Sequence, residues 1–173
     1  MIIQNKILSG ERPLYGSRDL RLERVTIGEG ESALKECRHI EAHDCEIQGM
    51  YVFWECEDVE CRNCRFASSD RAPLWYGKNI RMHDCIMDAP KVFRELDGLT
   101  LENIQISDGA EAFWYCKNGH LSNLNMQRAE YAFMQSSKLQ INNLTLQGKY
   151  TFQYARNIEI HNAVLDTKDA FWN

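Results

Sequence analysis

The chain has 173 residues, 44% of them apolar, enough for the core of one domain, and a net charge of −5 with no basic cluster. That balance excludes an electrostatic footprint for nucleic acid, so no nucleic-acid partner is expected. No stretch is apolar for long enough to be a signal peptide or a membrane span, so no membrane partner is expected and the expected location is cytoplasmic.

The first element, residues 1–12, brings Ile2, Ile3, Ile7 and Leu8 together and is expected to cap an open end of the fold. Beyond it a unit repeats. Its anchors are Leu20, Ile40, Val59, Ile80, Leu99, Gly119, Leu139 and Ile158, with gaps of 20, 19, 21, 19, 20, 20 and 19 residues. Positions are numbered from the anchor. At +2, +5 and +7 every coil carries an apolar residue or a thiol, for example Leu101, Ile104 and Ile106. At −6 stand Leu14, Leu34, Phe53, Leu74, Phe93, Phe113, Phe133, Phe152 and Phe171.

Within a unit, positions 0 and +2 share a face, as do +5 and +7, which is the two-residue period of strands. A polar couple separates the pairs and must turn the chain. At that turn, +4, stand Asp44, Asn63, Asp84, Asn103, Asn123, Asn143 and Asn162, residue types that tolerate left-handed backbone and can bond to one another when stacked. These features predict an all-β parallel β-helix, a single domain over 1–173 of about eight coils of ~20 residues. A leucine-rich repeat would need a longer convex segment, and a helical solenoid a 3.6-residue spacing.

The seven cysteines fall inside the repeat columns, where free thiols pack as small apolar groups and suit a reducing compartment. Cys61 and Cys64 form a C-x-x-C across a corner, and no second ligand pair follows, so neither metal nor cofactor is expected. The sequence stops at Phe171-Trp172-Asn173, as a further coil opens. Truncation, a cap from a partner, and end-to-end self-association through the open C-terminal coil are the competing accounts of that end.

The segments GERPLYG (Gly10 to Gly16), ESALKEC (Glu31 to Cys37), DAPKVFRE (Asp88 to Glu95) and LDTKDAFWN (Leu165 to Asn173) resemble an uncharacterised, mainly bacterial family of pectate-lyase-like right-handed β-helix proteins. The resemblance spans the whole chain. It implies the fold, carries no activity, and implies that members continue beyond this chain's last residue.

Chemistry is expected along one edge. Position −5 holds Tyr15, Lys35, Trp54, Trp75, Arg94, Trp114, Met134, Gln153 and Trp172; position −4 holds Gly16, Glu36, Glu55, Tyr76, Glu95, Tyr115, Gln135, Tyr154 and Asn173. Small residues at −7 (Ala33, Val52, Pro73, Val92, Ala112, Ala132, Ala170) leave room for a groove floor. The expected ligand is a carbohydrate or similar polyhydroxyl compound bound by Trp54, Trp75, Tyr76, Trp114 and Tyr115, because flat aromatic faces meet the apolar faces of sugar rings. Hydrolase or lyase chemistry would use Glu36, Glu55 and Glu95, with Lys35 and Arg94 neutralising charge. Glu55 and Glu95, two coils apart, would lie roughly 9.6 Å apart along the axis, near the ~6.5–9.5 Å of inverting glycosidases. The alternative is a non-catalytic structural or protein-interaction scaffold whose columns form stabilising ladders. The corner histidines His43, His83 and His161 read as exposed turn residues.

Overall fold

The computed structural model describes residues 1–172, which contain thirteen strands and no helix. The strands are β1 (Ile2–Gln4), β2 (Ile7–Glu11), β3 (Arg18–Glu23), β4 (Thr26–Glu31), β5 (Arg38–His43), β6 (Glu46–Ile47), β7 (Glu57–Arg62), β8 (Arg65–Phe66), β9 (Lys78–Met87), β10 (Asp97–Ile106), β11 (Lys117–Met126), β12 (Ser137–Lys149) and β13 (Arg156–Lys168). Every pairing is parallel. One path runs β1-β3-β5-β7-β9-β10-β11-β12-β13, and a second runs β2-β4-β6-β8-β9.

The register follows the sequence columns. Each anchor lies beside the next, from Leu20 against Ile40 through Leu99 against Gly119 to Leu139 against Ile158. The protein is a β-solenoid of about eight turns, and its strands continue unbroken through the +4 corner from β9 onward. Gly119 is the one anchor without a side chain. Its place is filled by Leu139, whose Cδ2 lies 2.8 Å from where a Cβ would stand.

The +4 corners are left-handed as the residue types require: Asp44, Asn63, Asp84, Asn103, Asn123, Asn143 and Asn162 all have φ between 51° and 57°. Their side chains form ladders, in which Asn63 donates to Asp44 (2.6 Å), Asn103 to Asp84, Asn123 to Asn103 and Asn143 to Asn123 (2.9 Å each). The sequence pointed to one such corner per coil, and the structure has more. In the coil of Leu99 the residues Lys91, Phe93, Glu95 and Gly98 are also left-handed. From −8 to −4 every second residue takes this conformation, so the third side of each coil is an arc rather than a strand.

That arc carries the −6 column into the core. Phe93, Phe113, Phe133 and Phe152 are fully buried and stack ring on ring at 4.5–4.8 Å. The hydrophobic gain of burying a side chain of this size, about 1.5–3 kcal/mol, outweighs the roughly 1–2 kcal/mol of left-handed strain at each. All seven cysteines are buried and free. The Cys64 sulfur lies 3.3 Å from both the Ala42 and the Arg62 carbonyl oxygens, either of which can accept its one proton, and burial pushes the Cys116 thiol up to about 12. Within the expected cap, residues 1–12, β1 and β2 pair with β3 and β4 and continue the stack, with Ile3 and Leu8 packed on the core.

Candidate functional site

The −5 column forms a closed stack. Trp54 and Trp75 lie face to face, 5.1 Å apart and within 7° of parallel. Arg94 follows, its guanidinium carbon 4.2 Å from the Trp75 ring centre and 4.4 Å from that of Trp114. Lys35 stands at the other end, 6.0 Å from Trp54. Both faces of Trp75 are therefore covered. Each indole N–H donates to a backbone carbonyl of the next coil: Trp54 to Ala72 (2.6 Å), Trp75 to Lys91 and Trp114 to Tyr131 (2.7 Å each). These bonds hold the rings against the −8 edge, and Trp75, covered on both faces, shows solvent only its rim. Glu111, from that same edge, grips Arg94 at 2.9 Å and Lys91 at 3.3 Å.

The −4 column stands out from the coil as a ridge. Tyr76, Tyr115 and Tyr154 are 42%, 44% and 53% exposed. Tyr76 is turned 89° from both Trp54 and Trp75, at 5.5 and 5.8 Å. Since those indoles stack from coil to coil, the Tyr76 ring plane runs along the axis, and its face looks sideways.

On the other side of this ridge two open depressions follow one another along the axis, together called the groove. Its floor is the −3 column, with Gly77 and Leu96 buried there, and its far wall is the −2 column. One depression, of about 530 Å³, is lined by Tyr76, Gly77, Lys78, Glu95, Leu96, Asp97, Tyr115 and Lys117. A second, of about 420 Å³, lies further along between Gln135, Ser136, Ser137, Tyr154 and Arg156. The Asn118 amide, donating to Asp97 at 2.6 Å, holds that carboxyl below its ordinary value against partial burial, and Lys117 at 3.3 Å adds to this. Among the described residues no group of three or more His, Cys, Asp and Glu side chains is placed to hold a metal ion.

Comparison with known families matches residues 1–173 to the one described as "Protein of unknown function (DUF3737)". The chain belongs to the DUF3737 family. No curated protein matches it.

In this DUF3737 chain the expected site residues divide between two surfaces. Tyr76, Tyr115 and Glu95 line the groove. Trp54, Trp75, Trp114, Lys35 and Arg94 belong to the stack, and Arg94 is closed between two indoles with only 16% of its side chain exposed. Glu36 and Glu55 share Lys35, at 3.9 and 3.3 Å, as solvated ion pairs. The small −7 residues floor no groove: Ala33, Val52, Val92, Ala112 and Ala132 are core residues. Asn173, at −4, lies outside the described residues. Of the corner histidines, His83 meets Glu102 at 3.1 Å, His161 is exposed, and His43 has its Nε2 buried without a partner.

Lys78, Lys117 and Arg156 are not among the expected site residues, and Tyr154 is there only as a member of the −4 column. A signal for them exists: the triplets Tyr76-Gly77-Lys78, Tyr115-Cys116-Lys117 and Tyr154-Ala155-Arg156 recur 39 residues apart (76, 115, 154). That is the length of two coils, not one.

Proposed function

We propose that this protein binds an extended carbohydrate lengthwise in the groove beside the tyrosine ridge. The observation that carries the reading is the Tyr76 ring, set at right angles to the tryptophan stack so that an exposed aromatic face runs parallel to the axis. A sugar ring stacks its apolar face on such a platform, while hydroxyls meet the polar groups across the floor. Tyr115, 44% exposed, stands in the same column two coils on, roughly 9.6 Å away, comparable with the length of a disaccharide in an extended chain.

Binding without turnover is proposed. Of the expected catalytic groups only Glu95 faces the depression, and its neighbour Asp97 is engaged by Asn118 and Lys117. Glu36, Glu55, Lys35 and Arg94 are matched to one another or to Glu111.

The experiment is an array of linear oligosaccharides probed with the intact protein, followed by calorimetric titration of the best binder into Tyr115→Ala. Loss of at least tenfold in affinity is expected, since stacking on one aromatic platform contributes on the order of 1–3 kcal/mol in comparable systems. Binding that Tyr115→Ala leaves intact would place the ligand elsewhere, and an array without binders would remove the proposal.

A further inference from the structure

The groove has a charge pattern as well as a shape. Along its far wall the cations Lys78, Lys117 and Arg156 recur on alternate coils, each two residues after an exposed tyrosine. The coils between them carry Glu95 with Asp97, and Gln135 with Ser137. The repeating unit of the groove is therefore two coils long, roughly 9.6 Å, with one exposed tyrosine and one cation in each.

The cations are not consumed by the fold. Lys78 is 3.7 Å from Glu57 and Lys117 is 3.3 Å from Asp97, with more than half of each lysine side chain exposed. Such pairs exchange readily for a ligand anion. Arg156 makes no ion pair among the described residues, and it lines the second depression with Tyr154.

We infer that the ligand is an acidic glycan carrying one carboxylate or sulfate per disaccharide. This rests on the carbohydrate reading above and narrows it. In that register the anionic sugar sits at each Tyr–cation coil and meets its ammonium or guanidinium. The neutral sugar sits at the intervening coil, where its hydroxyls donate to Glu95 and to the side-chain oxygens of Gln135 and Ser137. A polymer charged on every sugar would bring an anion against Glu95 and Asp97, at a repulsive cost comparable to the gain. A neutral polymer would leave the three cations unused.

The test uses three probes of equal length with the full chain: a hyaluronan octasaccharide (charged on alternate sugars), an oligogalacturonate octamer (charged on every sugar) and cello-octaose (neutral). Hyaluronan is expected to bind at least tenfold tighter than either other probe, and raising the salt concentration to 0.5 M should weaken it. Each exposed cation removed is expected to reduce affinity about threefold, so Lys117→Gln with Arg156→Gln should cost about tenfold for hyaluronan and nothing for cello-octaose. Equal binding of hyaluronan and cello-octaose, still sensitive to Tyr115→Ala, would overturn the charge assignment and leave the groove standing. Tighter binding of the galacturonate would overturn the alternation. Failure of all three would overturn both.

Discussion

The guanidinium of Arg94 lies between the rings of Trp75 and Trp114, at 4.2 and 4.4 Å from their centres, and is held there by Glu111 at 2.9 Å. Two cation–π contacts on one partly buried arginine contribute about 0.5–2 kcal/mol each, more than the exposed ion pairs on the other faces. Arg94→Ala removes both, together with the packing of the side-chain stem. It is expected to lower stability by about 2–3 kcal/mol in urea unfolding. Arg94→Lys is expected to recover less than half of that, because an ammonium lacks the planar face that fits between two indoles.

Asp70 is the outlier of the core. It occupies the position that Gly30, Gly49, Ala89, Gly109 and Ala129 occupy in other coils, is 1% exposed, and has neither side-chain oxygen hydrogen-bonded. Burial pushes its carboxyl well above the ordinary 3.8, and the nearby Arg71 amide offsets only part of this. The folded protein therefore keeps a proton that the unfolded chain loses, and stability falls as pH rises from about 4 through the raised folded value. Asp70→Ala is expected to stabilise by about 1–3 kcal/mol at pH 7, the cost of an unsatisfied buried group. It should also flatten the pH dependence of stability over that window, which denaturant melts at pH 4, 6 and 8 would show.

The corner ladder separates backbone strain from hydrogen bonding. Asn123 donates to Asn103, accepts from Asn143, and has φ 53°. Asn123→Gly loses the two side-chain bonds, each worth about 0.5–1.5 kcal/mol, but keeps an easy left-handed backbone. Asn123→Ala loses the same bonds and adds about 1–2 kcal/mol of strain, partly offset by the greater freedom of an unfolded glycine. Alanine is therefore expected to be the worse substitution by about 0.5–1 kcal/mol in equilibrium unfolding.

The sequence made the solenoid legible because a core column is a spacing, and spacing survives in one dimension. Leu99, Leu101, Ile104 and Ile106 announce two inward faces, and Asn103 announces the turn between them. What stayed hidden depends on direction. Nothing in the Phe column says that Phe93 and Phe113 take left-handed backbone, because aromatic residues are not drawn to that conformation; core burial imposes it. The sequence placed Trp75 and Tyr76 on one edge but could not say that one ring would lie flat between its neighbours and the other stand across them. Glu111 reaches Arg94 from a column three positions away across an arc, a contact no periodicity encodes. The Tyr-x-cation triplet was readable but repeats every second coil, so a one-coil comparison averages it away.

In the proposed division the −5 column serves stability and the −4 column the ligand, and neighbouring residues separate the two. Trp114 packs on Arg94 and bonds to the Tyr131 carbonyl, whereas Tyr115 is 44% exposed over the groove. The decisive measurement is a paired one, thermal unfolding and calorimetric titration with the best oligosaccharide, on Trp114→Ala and Tyr115→Ala. Trp114→Ala is expected to lower Tm by about 5–10 °C, from a loss of about 2–3 kcal/mol, and to bind like the native protein below its melting point. Tyr115→Ala is expected to melt within about 2 °C of the native protein and to lose at least tenfold in affinity. The reverse pattern, with binding lost in Trp114→Ala and retained in Tyr115→Ala, would contradict the division of this edge.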